Sequence, residues 1–267
     1  MTDALARLRE VVGPMPCVAV AVSGGVDSLT LATVAHDLLG EAATMHHAIS
    51  PAVPAEATRR TRDLATARRW VLDVFDAGEF EDARYRANPV NRCYFCKVNL
   101  YAAIARRTEA TILSGTNLDD LGEYRPGLDA AVEYGVRHPF LEAGIDKRTL
   151  RRIAADLGLG EIADLPASPC LSSRVETGIA IEAPSLALIE TAEHLLRDTL
   201  SPRTVRCRVR ARGIVIELDP ETLQQLDPST EARLRLKVGA IATAAGLAAP
   251  ISFAAYRNGS AFIRAVE

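Results

Sequence analysis

Residues 23–28 read Ser-Gly-Gly-Val-Asp-Ser, so two hydroxyls, two glycines and a carboxylate fall within six positions. Each of these types has a use beside a phosphate. Gly24 and Gly25 carry no Cβ, so the backbone bends tightly and its amides can approach phosphate oxygens. Ser23 and Ser28 add hydroxyl donors, and Asp27 suits a metal ion that bridges phosphates. The apolar run Cys17–Val22 reads as a buried strand and Leu29–Leu39 as a helix, which places Ser23–Ser28, Val26 included, on a strand-to-helix turn. Unpaired N–H groups and the positive end of the helix dipole favour an anion there. The run holds no lysine and lacks the GxxxxGK[ST] spacing, which excludes a Walker loop.

Thiols form the second constellation. Asn91-Arg92-Cys93-Tyr94-Phe95-Cys96-Lys97 places a CxxC at the start of a helical pattern, and the helix start with Arg92 and Lys97 favours thiolates for metal binding or nucleophilic chemistry. On spacing alone the pair fits a redox couple, half a zinc site, two ligands of an iron–sulfur cluster, or packing. No second CxxC or HxxxH completes a zinc site. Cys170 sits in Ser168-Pro169-Cys170-Leu171-Ser172-Ser173-Arg174, whose hydroxyls and arginine suit a thiolate beside an anionic substrate, or a half-buried loop cysteine. Cys17 and Cys207 read as small core or sheet residues. An odd total of five, with no apolar core of a secretory signal near the N-terminus, reads as thiols or metal ligands in a cytoplasmic protein.

A third cluster is Ser114-Gly115-Thr116-Asn117-Leu118-Asp119-Asp120. Gly115 and Asn117 suit a tight turn, Thr116 or Asn117 a helix cap, and Asp119 and Asp120 either Mg²⁺ ligation or the acidic start of a helix. Arg125, in Tyr124-Arg125-Pro126-Gly127, can hold a phosphate or a carboxylate in fork geometry. Arg206 and Arg208 lie two apart on a strand and share a face, as a substrate contact or as a solvated basic strand. Glu190 and Glu193 read as metal or substrate contacts or as a solvent-facing helix, and Trp70 as core. His46 and His47 point to opposite faces, one buried and one exposed.

Positioning these groups takes an α/β fold. Strand patterns at Cys17–Val22, Ala42–His47, Trp70–Val74 and Thr111–Ser114 alternate with helical ones at Leu29–Leu39, Ala55–Ala67 and Lys97–Arg107. That alternation predicts a parallel sheet with helices on both faces and ligands beyond the carboxyl ends of its strands. The proline-punctuated stretch near residue 166 divides the chain into residues 1–165, a nucleotide domain, and 166–267, a smaller α+β domain. In the latter, Pro184–Leu200 and Glu231–Ala245 read as helices and Val205–Val209 with Ile214–Leu218 as paired strands. Ile251–Ala255 and Ala261–Ala265 read as a hairpin about Asn258-Gly259. The 267 residues are 48% hydrophobic and 24% charged with net charge −3, an ordinary soluble composition without general affinity for nucleic acid. No apolar run approaches the roughly 20 residues that cross a bilayer.

Taken alone, SGGVDS resembles the PP-loop of ATP pyrophosphatases, which split ATP into AMP and pyrophosphate. Together with NRCYFCK, SGTNLDD, YRPG, PCLSSR and Val205-Arg206-Cys207-Arg208 in this order, the chain resembles the LarE family over about Cys17 to Leu218. These are PP-loop sulfur transferases of nickel-pincer nucleotide biosynthesis, with an adenine nucleotide alpha hydrolase-like fold. The resemblance implies that ATP and Mg²⁺ bind at Ser23–Ser28, Gly115, Thr116, Asn117 and Asp119. It implies adenylation of a carboxylate of a small pyridinium biscarboxylate mononucleotide, then displacement of AMP by sulfur. Ser173, Arg174, Arg206 and Arg208 are implied at that substrate. One branch of the family sacrifices the sulfur of the cysteine matching Cys170; another uses three cysteines to hold a 4Fe–4S cluster. Cys93, Cys96 and Cys170 supply the three-thiolate set of the cluster branch. Homo-oligomers are expected from the family. The other readings are a tRNA thiolase, a non-catalytic nucleotide-binding protein, and an NAD-synthetase-like ligase, which needs ammonia and no cysteine.

Overall fold

A computed structural model describes residues 3–122, 125–167 and 169–262. The chain divides into two compact units, one of Met1–Asp82 and Cys93–Ser168, the other of Ala83–Arg92 and Pro169–Glu267. In chain order the helices are α1 (Asp3–Val12), α2 (Val26–Leu39), α3 (Ala55–Arg68), α4 (Ala83–Arg86), α5 (Arg92–Ala105), α6 (Gly127–Glu133), α7 (Pro139–Glu142), α8 (Lys147–Asp156), α9 (Ala183–Leu200), α10 (Pro220–Gln225) and α11 (Pro228–Ala244).

The first unit is built on β1 (Val18–Ala21), β2 (Ala43–Ile49), β3 (Val71–Asp76) and β4 (Thr111–Leu113), all parallel, in the order β3-β2-β1-β4. Strand alternation sorts β1 between two cores. Val18 and Val20 pack in one with Leu5, Leu8 and Val12 of α1, Leu29 and Leu31 of α2, and Leu150 and Ile153 of α8. Ala19 and Ala21 pack in the other with Tyr101 and Ile104 of α5 and Ala130 and Ala131 of α6. A strand covered on both faces must be apolar throughout, and all four residues of β1 are buried. The strand order reverses beside β1, because β2 and β3 extend one edge while β4 lies on the other. The crevice beyond the carboxyl ends of β1 and β4 is therefore the topological switch point, where open α/β sheets bind ligands.

In the second unit β5 (Val205–Arg210) pairs antiparallel with β6 (Gly213–Leu218), and β6 pairs in parallel with β7 (Ile251–Ala255). Leu186, Ile189 and Leu196 of α9 and Cys207, Ile214 and Ile216 of the sheet are fully or almost fully buried. The Ala83–Arg92 segment belongs here. The Asn88 side-chain amide donates to the carbonyls of Glu176 and Ile179, both at 2.9 Å, and Tyr85 Oη lies 2.7 Å from Ser172 Oγ. Ile251–Ala255 is the expected strand, but residues 263–265 of its expected hairpin partner lie outside the described residues.

Two expectations are corrected. His46 and His47 are both buried, since β2 is covered on both faces and neither side of it is wet. His47 Nδ1 donates to the Val22 carbonyl at 2.8 Å and Nε2 lies 2.9 Å from Thr58 Oγ1, while His46 Nε2 lies 3.0 Å from Thr44 Oγ1. Cys17 is exposed because β1 begins one residue later, at Val18. Among the described residues no helix is long and apolar enough to cross a membrane.

Burial, the largest cause in each case, holds both imidazoles below the ordinary value of 6.5. The native state keeps them neutral while the unfolded chain takes up protons, so their contribution is complete above the unfolded value and is lost as pH falls through it. The urea midpoint is expected to fall between about pH 7.5 and 5.5. His47→Asn, which keeps the contact to Val22, should show a shallower fall; an equal slope in both proteins would contradict the assignment.

Candidate functional site

In the first unit, Ser23–Gly25 link the end of β1 to α2. Val22 N–H donates to the His46 carbonyl at 2.9 Å, so the sheet ladder holds the chain up to the residue before the loop. Ser28 Oγ then ties the loop to the helix: it accepts from Ser23 N–H at 3.0 Å, lies 3.1 Å from Ser23 Oγ, and donates to the Gly25 carbonyl at 3.2 Å. Gly25 is the N-cap of α2 and no side chain caps it. Arg60 of α3 donates to the Gly24 carbonyl at 2.8 Å. Because the peptide is trans, that bond turns the Gly25 N–H the opposite way.

Two glycines are fixed by space. Gly24 has φ +78°, and a Cβ there would lie 2.5 Å from the Ala57 carbonyl oxygen. Gly115, after β4, brings its backbone against the first turn of α2, and a Cβ would stand 3.0 Å from both Asp27 C and Ser28 N. The loop after β4 thus meets the first turn of α2 main chain to main chain.

Asp27 lies on the first turn of α2, about a third exposed, and both its oxygens accept from Lys147 Nζ at 2.6 Å. Lys147 is the first residue of α8, capped by Asp146, whose carboxylate accepts from Thr149 N–H. Its own N–H donates to Asp119 at 2.8 Å. Asn117 Oδ1 accepts from Asp119 N–H at 3.1 Å, and Asn117 N–H donates to Asp120 at 3.0 Å. Asp120 pairs with Arg125 at 2.7 Å. The Asn117 side-chain amide lies 3.4 Å from Asp27, and Thr116 Oγ1 lies 3.1 Å from Ser114 Oγ. Asp27, Asn117, Asp119, Asp120, Arg125 and Lys147 therefore form one hydrogen-bonded chain at the switch point. Tyr124 lies outside the described residues.

The thiols divide between the units. Cys93 and Cys96 lie in the first turn and a half of α5, Cys93 exposed and Cys96 half-buried. Arg92 is buried and donates to Asn88 Oδ1 at 2.7 Å. Cys170 is half-buried in the second unit, where Leu171–Arg174 forms a 3₁₀ turn. None of the five cysteines is in a disulfide, and burial pushes the Cys207 thiol far up. Among the described residues no three His, Cys, Asp or Glu side chains are grouped to hold a metal ion.

Two buried carboxylates organise the basic residues of the second unit. Glu193, almost fully buried, accepts from Arg174 Nε and Nη2 at 3.0 and 3.2 Å, from Arg197 at 2.8 Å, and from the Cys207 N–H at 3.1 Å. It does not face solvent. Glu217 accepts from Arg208 at 3.0 Å, Arg210 at 2.8 Å and Ser260 at 2.5 Å. Arg208 also donates to the Ser173 carbonyl at 3.0 Å. Arg206 lies 5.8 Å from the Tyr256 ring centroid, and burial, with Arg174 and Arg208 nearby, lowers its pKa. An anion beside Arg206 would offset that cost.

No family model matches the chain. An uncharacterised protein of Synechocystis sp. is 39% identical over 228 residues, 83% of either chain. The pyridinium-3,5-bisthiocarboxylic acid mononucleotide synthase of Lactiplantibacillus plantarum is 31% identical over 206 residues, covering 75% of this chain and 74% of that enzyme. The chain belongs to the LarE family. An uncharacterised protein of Methanocaldococcus jannaschii is 30% identical over 148 residues, 54% of this chain.

Sequence reasoning missed Lys147 and Arg60, which bond to Asp27 and to the Gly24 carbonyl in this LarE-family chain, and the buried Glu79. Lys147 could have been found from its place: with Arg148 it puts two cations on a first turn that has no acidic residue, against the helix dipole. Arg60 carries no such signal. Glu79, just past β3, is buried with Oε2 unpartnered, and burial raises its pKa despite a bond to Ser50.

Gly115→Ala is expected to weaken nucleotide binding at least tenfold, because backbone atoms of the first turn of α2 must shift. Titration calorimetry with ATP checks this, and an unchanged Kd would show that the loop approach is not needed.

Proposed function

We propose that the protein is an ATP-dependent sulfur transferase acting on a carboxylate of a pyridinium mononucleotide. The observation that carries this reading is the Asp27–Lys147 chain at an uncapped helix start on the switch point. The bisthiocarboxylate named for the L. plantarum relative supports the substrate class.

The amides of Gly25 and the first turn of α2, with Ser23, would receive the phosphates of ATP. Mg²⁺ would take oxygens from Asp27 and Asp119, releasing Lys147 to follow the departing pyrophosphate. A substrate carboxylate oxygen attacks the α-phosphorus and the bond to the β-phosphate bridging oxygen breaks. Pyrophosphate leaves with that electron pair. The acyl adenylate has AMP as its leaving group, so a sulfur nucleophile attacks its carbonyl carbon, expels AMP and leaves a thiocarboxylate. In the second unit, Arg206 with Ser173 would receive the substrate phosphate, while Arg208, buried and bonded to Glu217 and the Ser173 carbonyl, would hold the strand in place.

The thiols are of the chemical type that holds an iron–sulfur cluster, with Cys93 and Cys96 about one helical turn apart and Cys170 half-buried in the other unit, though the described residues do not group three of them. These three would hold a 4Fe–4S cluster, which when bound supplies an open iron for a transferable sulfide. If the sulfur instead comes from Cys170, attack of its thiolate gives a thioester. Removal of the Cα proton then breaks the Cβ–S bond and leaves dehydroalanine, with no external oxidant or reductant.

Asp27→Asn and Lys147→Met should each lower pyrophosphate release by about two to three orders of magnitude. Cys170→Ala should release pyrophosphate at the wild-type rate and form no thiocarboxylate. Parallel loss of both products in Cys170→Ala would refute the division of roles. Anaerobic reconstitution identifies the sulfur source: about four irons in wild type, lost in Cys93→Ala, establishes the cluster. A colourless enzyme that loses the mass of H₂S from Cys170 in one turnover establishes sacrifice.

A further inference from the structure

Arg174 was expected at the substrate, yet its guanidinium is buried and its donors are taken up by the protein itself. One side forks onto Glu193. The other, through Nη1, reaches the carbonyls of Pro169 at 2.5 Å and Cys170 at 3.1 Å, and Ser173 Oγ at 3.0 Å. Cys170 is thus gripped by its own carbonyl and the one before it. Glu193, at the other end of the grip, accepts from the N–H of Cys207, the residue between Arg206 and Arg208. Arg208 closes the circuit on the Ser173 carbonyl.

We propose that Arg174, locked by Glu193, is a positioning residue that registers the Cys170 loop against the strand carrying Arg206 and Arg208. The fork is planar and rigid, so both carbonyls and the carboxylate keep a fixed geometry that a lysine cannot reproduce. Where Arg206 holds the anionic end of a ligand, the thiol stands at a set distance from it. The catalytic value of this register rests on the sulfur-transfer reading; the register itself does not.

The test is alkylation of Cys170 by iodoacetamide, read by peptide mass spectrometry with and without inorganic phosphate as the anion. In wild type, phosphate should slow alkylation at least fivefold. In Arg174→Lys that protection should drop below twofold, and likewise in the double variant Arg174→Met with Glu193→Met, which removes both buried charges together. No protection in wild type, or full protection in both variants, overturns the proposal. In the sulfur-transfer assay Arg174→Lys should lower kcat at least tenfold while KM for the pyridinium substrate stays within threefold. Should wild type form no thiocarboxylate at all, the functional reading falls, and the alkylation experiment still decides the register.

Discussion

A lysine at the amino end of a helix is electrostatically misplaced, because its charge meets the positive end of the dipole. Lys147 is held there by Asp27, which stands on the first turn of a different helix, where a carboxylate is favoured. The unfavourable placement and the favourable one meet in a single bidentate pair. That pair binds α8 to α2, and through Asp119 it binds the loop after β4 to both. With a third of each side chain exposed, the pair is worth little as stability. Its value lies in keeping a cation and an anion ready at the point where the strand order reverses.

The second unit uses the opposite regime. Glu193 and Glu217 lie where water does not reach, and each gathers several donors. Removing one partner of such a buried pair costs about 3–5 kcal/mol, because the other charge is left uncompensated. The arginines of PCLSSR and of β5 are therefore structural members of the unit as much as ligand contacts. Arg174 is wholly so, whereas Arg206 keeps a charge that burial disfavours.

Much of the first unit was legible because its signals are local. Apolar runs followed by turn residues marked all four parallel strands, and the glycines of the strand-end loops stand where backbone approaches backbone. The parts that went unread are pairings between distant residues. Asp27 and Lys147 are 120 residues apart, and the helix that carries Lys147 was not recognised, although Asp146 caps it and Leu150 and Ile153 form its buried stripe. His46 and His47 were assigned one wet face by alternation, which holds for a half-covered sheet and fails for a sheet covered twice. Glu193 looks like any acidic helix residue until Arg174 and the Cys207 amide are brought to it by the fold.

Asn88 shows what the interrupted second unit demands of synthesis. Its amide is satisfied by carbonyls at Glu176 and Ile179, and its backbone, at φ +53°, is in a region that few residues other than glycine adopt without support. Those carbonyls are made roughly 90 residues later, which at about 5–20 residues per second is a delay of several seconds to nearly 20 s. During that interval Tyr85 and Asn88 have been made while their partners do not yet exist. The segment just ahead of the CxxC must stay unaggregated for that time, and Arg84, Arg86 and Arg92 provide charge to keep it solvated.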